Sequence, residues 1–397
     1  MTEPDGPVEA VAKAASGVSR AGVIGISVGV LAAGAAAGVA IERLTVGRAT
    51  RRRARAELDA GAPYGSLRGR PRTVAAPDGT ELYVELDGTG WDAPEAPDAS
   101  GGDGPEPLTV VFSHGYCLNQ DSWHFQRAAL RDGLRLVFWD QRSHGRSERS
   151  RSFRAGEPAS IDQLGGDLKA VIDAVAPTGP LVLVGHSMGG MTVMALADQH
   201  PELFRERVAG VALVGTLAGN WDQVSLGLPS AGAKLFKRVA PGVVKLLGRQ
   251  VELVEATRRF GSDVAAVFYR RFSFGSKDVD PGVVRFAEQM LDATPIDVVA
   301  EFYPVFGVHE KTAALAALRG LPALVLAGTK DLLTPPAHSE AMAEQLPGAE
   351  LMIVEGAGHL VMLEHPELVD RHLAALLRRA AAFGGAAEPP PSVLDPV

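Results

Sequence analysis

LVLVGHSMGGMTVMALADQ, residues 181–199, is the stretch on which the reading of this chain turns. Residues 181–184 are apolar and β-favouring, they run into Gly185-His186-Ser187-Met188-Gly189, and a helix-like pattern follows over 188–199. A serine between a buried strand and a helix can sit at strained backbone angles, with its hydroxyl pointing outward and the next amide at a helix N-terminus. Gly185, Gly189 and Gly190 leave the room that such a turn needs. Ser187 is therefore the candidate nucleophile.

Outward from this stretch, short apolar runs recur, each ending in a loop: LTVVFSH at 108–114, LRLVFWD at 134–140, VALVGT at 211–216, ALVLAGTKD at 323–331 and LMIVEGAGH at 351–359. Continuous apolar strands of this kind are buried on both faces. Helix-like stretches such as 161–175 lie between them, and this alternation predicts a mostly parallel doubly wound sheet. Strands at 73–76 and 81–86 around Pro77-Asp78-Gly79 predict an antiparallel hairpin at its start. Ligands of such sheets bind beyond the carboxyl ends of the strands, where the polar residues singled out here fall.

A serine hydroxyl needs a positioned base to act at neutral pH. His359 stands five residues beyond the apolar run 351–354, in Gly356-Ala357-Gly358-His359, where the glycines let a loop deliver an imidazole. His365, before Pro366, reads as a helix-start residue, and at His114 and His186 the backbone geometry matters more than the ring. The imidazole needs a carboxylate that fixes its tautomer, and Asp331 ends the run 323–331. The bland alternative for Asp331 is a surface cap for the helix near Pro335; Asp222, after the strand at 211–216, is the spare acid. An oxyanion needs two preorganised amides, for which Met188 and Tyr116 are the candidates, with His114 and Gly115 forming the supporting turn.

GHSMGG, His114-Gly115, DQRSHGRS at 140–147, GTKD with Thr334-Pro335, and GAGHLVMLEHP together resemble the α/β-hydrolase-fold esterases and lipases of bacteria, over about 72–379. The resemblance implies an α/β-hydrolase fold: a mostly parallel eight-stranded sheet with helices on both faces and a helical cap inserted after strand 6. It implies Ser187, Asp331 and His359 as a triad in the family's chain order. Ser143 departs from the family, which usually has glycine there; Asp140 and Ser147 read as structural.

Catalytic-domain boundaries at 72–216 and 323–380 leave 217–322 as the cap, about a hundred residues where a minimal fold needs one helix. Eight of the fourteen phenylalanines lie in it, among them Phe268, Phe272, Phe274, Phe302 and Phe306. Any one of them reads equally as core of the cap itself, but together they favour a pocket for an apolar acyl or aromatic group. The expected function is cleavage of a hydrophobic carboxylic ester through an acyl-enzyme. Thioester, peracid and carbon–carbon chemistry use the same triad, and a ligand receptor on the same fold is the non-enzyme alternative. A serine at the nucleophile position disfavours the dehalogenase and many epoxide hydrolase relatives, whose ester forms on a carboxylate.

The formal charge of −8 gives no reason to expect nucleic acid, and with Cys117 the only cysteine there is neither an intramolecular disulfide nor a zinc-type cluster. No metal or organic cofactor is implied. Residues 21–41, after a short N-terminal tail at 1–20, carry no charge and at about 1.5 Å per residue span a ~30 Å hydrocarbon core. Gly25 with Gly29 and Gly34 with Gly38 give the small-xxx-small spacing of packed membrane helices. Arg43, Arg48, Arg51, Arg52, Arg53 and Arg55, in the basic linker at 42–71, against Lys13 and Arg20 before the segment, place the catalytic domain on the cytoplasmic side of a membrane. An exported chain with a cleavage site at Ala35-Ala36-Ala37 is the competing reading. Residues 87–107 read as a loop and 381–397 as a disordered tail.

Overall fold

The computed structural model describes residues 58, 64–91, 106–248 and 270–394. Eight strands form one sheet: β1 (Arg70–Ala75), β2 (Glu81–Gly88), β3 (Thr109–Ser113), β4 (Arg135–Trp139), β5 (Leu181–His186), β6 (Val208–Val214), β7 (Ala323–Gly328) and β8 (Glu350–Val354). Their spatial order is β1-β2-β4-β3-β5-β6-β7-β8. The β1–β2 hairpin turns at 77–79 and β2 pairs antiparallel with β4; every later pairing is parallel.

The principal helices are α1 (His124–Leu130), α2 (Ile161–Val175), α3 (Met188–Gln199), α4 (Ser230–Gly248), α5 (Pro281–Ala293), α6 (Ile296–Phe302), α7 (Pro336–Gln345) and α8 (Pro366–Gly384). Because side chains alternate across a strand, each central strand feeds two cores. Val110, Phe112, Val182, Val184, Leu324 and Leu326 face a core shared with α1 and α8. Val111, Leu181, Leu183, Val211, Leu213 and Val325 face one shared with α2, α3 and α7. The unbroken apolar runs in the sequence are the consequence of this two-sided burial. All helical elements between β6 and β7, α4 to α6 among them, belong to the insertion expected after the sixth strand.

Two expectations are corrected. Among the described residues no helix is long and apolar enough to cross a membrane, which overturns the membrane-anchored, cytoplasmic-side placement. The longest described helices, α4 and α8, carry Lys234, Lys237 and Arg238 in the one and Asp370, Arg371, Arg378 and Arg379 in the other. Segment 21–41 lies outside the described residues, as do 92–105 of the loop at 87–107. The tail expected from 381 instead continues α8 to Gly384 and forms a short helix, Pro391–Leu394, whose Val393 is buried in the core. Gly133 admits this packing, since a Cβ there would lie 2.4 Å from Pro390 and 2.7 Å from Val393.

Asp370 of α8 is buried and accepts a hydrogen bond from Gln126 Nε2 at 2.9 Å. Burial pushes its carboxyl up to about 7, with Glu367 adding to the shift and Gln126 opposing it. A raised carboxyl pKa contributes stability in full below the unfolded value of about 3.9, and this is lost as pH climbs through the folded value. Asp370→Asn keeps an acceptor for Gln126 without the titration. It is expected to raise the Tm by roughly 5 °C at pH 8 and by little at pH 4, measured by scanning calorimetry. An equal effect at both pH values would refute this.

Candidate functional site

Strand β5 hands over to α3 at Ser187, whose backbone stands at φ 51° and ψ −118°, a strained conformation for a residue with a side chain. Its amide donates to the Val214 carbonyl at 2.9 Å, and its carbonyl accepts from Thr216 Oγ1 at 2.7 Å. The turn is possible only without side chains around it. A Cβ on Gly185 would lie 2.5 Å from the Gly189 carbonyl oxygen, one on Gly189 2.1 Å from that of Ser113, and one on Gly190 2.6 Å from Thr216.

Asp331 lies just beyond β7 and is buried, contrary to a surface cap. Its Oδ1 accepts from the amides of Leu333 and Thr334 at 2.8 and 2.9 Å, and Oδ2 accepts from Thr334 Oγ1 at 2.7 Å and from His359 Nδ1 at 2.8 Å. A carboxylate only accepts, so the proton of the pair sits on Nδ1 and Nε2 is the free base position. His186 Nε2, one residue before Ser187, bonds the His359 carbonyl at 2.9 Å. A Cβ on Gly215, at the end of β6, would lie within 3.5 Å of the His359 carbonyl, Asp331 Oδ2 and His186 at once. Asp331, His359 and the elbow thus converge at the carboxyl ends of β5 to β7. Among the described residues no hydrogen bond engages the Ser187 hydroxyl, a common state of such sites before substrate closes them. The spare acid Asp222 is exposed in a 3-10 turn at Trp221–Gln223.

After β3, Gly115 packs against the elbow so closely that a Cβ would lie 2.7 Å from His186 Nδ1 and 3.2 Å from the Ser187 Cβ. Neither the Tyr116 amide nor that of Met188, the first residue of α3, donates to an acceptor among the described residues. The rings of His114 and His186 matter more than the sequence suggests. His114 Nε2 accepts from the Gln141 amide at 2.9 Å, Nδ1 donates to the Gly115 carbonyl at 2.7 Å, and Gln141 Nε2 returns a bond to the His114 carbonyl at 2.5 Å. Burial, then the neighbouring His144, pulls the His114 pKa down to about 3, and burial holds that of His186 well below the usual value, so both are neutral struts. Asp140 accepts from the amides of Gln120 and Arg146 at 2.7 and 2.8 Å, and Ser147 Oγ donates to the Asp140 carbonyl at 2.5 Å.

The wall beside the elbow is apolar. Met188, Met191, Leu217 and Val224 pack with Val298, Phe302, Val305 and Phe306 of the insertion, and Tyr116 and Trp221 lean on the same cluster. Phe274 and Phe286 instead join the core beneath α1 and α8, and Phe268 lies outside the described residues.

Sequence reading gives no role to Thr334 or to Glu364. The Glu364 carboxylate accepts from the amides of Gly358 at 2.7 Å, Gly275 at 3.0 Å and Ser276 at 2.7 Å. It therefore ties the His359 loop to the middle of the insertion, where a Cβ on Gly275 would lie 2.1 Å from the Gly356 carbonyl oxygen. The only sequence signal is an acid inside GAGHLVMLEHP, and nothing local reveals partners some ninety residues away. Glu364→Ala leaves these amides without their acceptor. It is expected to lower the Tm by several degrees and catalytic turnover by at least tenfold, checked by thermal melts and esterase assay. Wild-type values in both would refute the clamp.

A family model described as alpha/beta hydrolase fold matches residues 109–366. The dihydrolipoyllysine-residue acetyltransferase component of the acetoin cleaving system of Pseudomonas putida is 26% identical over 283 residues, 70% of this chain and 65% of that protein. The chain thus spans just under two thirds of the length of that relative. The bifunctional esterase/perhydrolase of Acinetobacter calcoaceticus is 26% identical over 283 residues, 69% of this chain and 94% of that one. Among solved structures, a thermophilic esterase from Thermogutta terrifontis superposes with a TM-score of 0.58 at 27% identity, covering 78% of this chain and 98% of that one.

Proposed function

The chain belongs to the α/β-hydrolase fold family, and from that premise we propose that it is a serine hydrolase that cleaves carboxylic esters of small hydrophobic substrates through an acyl-enzyme. The observation that carries this reading is the 2.8 Å bond from His359 Nδ1 to the buried Asp331, set beside the strained elbow of Ser187. With Nδ1 committed, Nε2 takes the proton from the Ser187 hydroxyl as the oxygen attacks the ester carbonyl, and Asp331 stabilises the imidazolium that forms. The amides of Tyr116 and Met188 receive the developing oxyanion, and their having no acceptor among the described residues supports that role. Return of the proton to the departing alcohol leaves the acyl group on Ser187, and water attacks with His359 again as base.

Phe302, Phe306, Met191 and Leu217 belong to a buried apolar cluster that packs on Met188, the residue after the nucleophile, which supports a hydrophobic acyl or aryl group on the substrate. The insertion at 217–322 acts as the cap that supplies most of this cluster. The esterase relatives and neighbours favour oxygen esters. The relative that is both esterase and perhydrolase keeps a second acceptor in play, hydrogen peroxide in place of water at deacylation.

Ser187→Ala is expected to abolish fluorophosphonate labelling and to lower p-nitrophenyl ester turnover by at least 10³-fold at unchanged Tm. An acyl-chain series then reads the pocket, and added peroxide reads the second acceptor as peracid formation. Wild-type turnover in the alanine variant would overturn the mechanism; labelling of Ser187 without turnover of any ester would overturn the substrate class.

A further inference from the structure

The loop that carries the Tyr116 amide is held from outside the sheet. Tyr116 Oη donates to the Val299 carbonyl in α6 at 2.6 Å, and Thr294 Oγ1, just before α6, donates to the Cys117 carbonyl at 3.1 Å. Cys117 itself stands at φ 60°, a left-handed conformation that a side chain disfavours. Two residues beyond Val299 along α6, Glu301 Oε1 accepts from Ser143 Oγ at 3.0 Å. Ser143, at φ 65°, also takes the Ser150 amide at 3.0 Å, so its hydroxyl joins the 140–147 loop to α6. Arg149 pairs with Asp297 and approaches Glu301 at 4.0 Å on the same face. Glycine at position 143 would adopt this backbone without strain but would have no hydroxyl to offer.

We infer that residues 294–301 of the insertion brace the oxyanion-hole loop, so that Tyr116, Ser143, Thr294 and Glu301 are positioning residues for the Tyr116 amide. The inference rests on the serine-hydrolase reading above. Two observations support a positioning role over a merely stabilising one. First, the bonded residues are Tyr116, which carries the amide, and Cys117, which follows it directly and is held in a strained conformation. Second, Glu301 is buried, and burial pushes its carboxyl up to about 7 against the opposing bond from Ser143 and the charge of Arg149. An apolar side chain at 301 would avoid that cost and would lose the tie to Ser143. An amide misdirected by a fraction of an ångström binds the tetrahedral oxyanion less well while leaving ground-state binding nearly unchanged, because the donor acts where charge develops.

The test compares Tyr116→Phe, Thr294→Val and Ser143→Gly with the wild type in a p-nitrophenyl ester assay normalised by fluorophosphonate titration of active sites. Each variant is expected to lower kcat about tenfold with KM within twofold. Affinity for a trifluoromethyl ketone, which forms a hemiketal oxyanion on the serine, is expected to fall by the same factor. Thr294→Ser, which keeps the hydroxyl, is expected to restore both. Ser143→Gly relieves a left-handed residue, so its Tm holds or rises while kcat falls, a pairing that a stabilising contact does not produce. Unchanged kcat and ketone affinity in all three variants, with an active wild type, would overturn the brace alone. A wild type that neither labels nor turns over ester would remove the serine-hydrolase reading and the brace with it.

Discussion

The carbonyl oxygen of Ser113 lies 2.1 Å from where a side chain on residue 189 would begin, and positions 185 and 190 are closed off in the same way. Everything else at the site depends on this crowding. It brings the first turn of α3 down onto β3 and β5, which forces Ser187 to φ 51° and leaves the Met188 amide at the head of the helix. A residue in that conformation is not held by its own preference. It is held by bonds to Val214 of β6 and to Thr216 just beyond that strand, and by the helix that follows it, so the sheet and α3 together supply the energy that the turn costs.

From the elbow outward, the site is organised by rigid polar groups and not by free charge. His186 ties the elbow to the His359 loop, His114 ties the loop after β3 to Gln141, and burial keeps both rings neutral. Neutral imidazoles offer one donor and one acceptor of fixed direction, which suits them as spacers between loops that must not move. Asp331 is fixed differently. Two amides and a threonine hydroxyl orient the carboxylate, so the oxygen that meets His359 has little freedom of its own.

Legibility in the sequence follows the range of the interaction. Ser187, Asp331 and His359 each stand at the end of an apolar run inside a local pattern, and the sheet brings strand ends together, so local reading reaches them. The two-sided core was legible for the same reason: continuous apolar strands have no other stable setting. Glu364 and Glu301 were not, because their partners, Gly275 and Ser276 in one case and Ser143 in the other, are remote in the chain and no periodicity links them. Ser143 was visible as a departure from glycine, but its meaning waits on Glu301, 158 residues away. The ring of His114 was misjudged because a neutral buried strut and an idle histidine look alike in sequence. A run of small apolar residues such as 21–41 likewise has the length of a membrane span whatever its setting, and length alone does not settle placement.

Helix α6 therefore has two tasks in seven residues. Through Val298 and Phe302 it packs into the apolar cluster around Met188, and through the Val299 carbonyl and Glu301 it holds the loops that carry Tyr116 and Ser143. These residues interleave along one helix, so the cluster cannot be reshaped by moving the helix without also moving the brace. Side-chain replacement at 298 and 302 changes the cluster without touching these bonds, whereas a rigid shift of α6 breaks them. The physical link between the cluster and the two loops is then the helix axis itself, which the bonds to Tyr116 and Ser143 fix and the apolar contacts use.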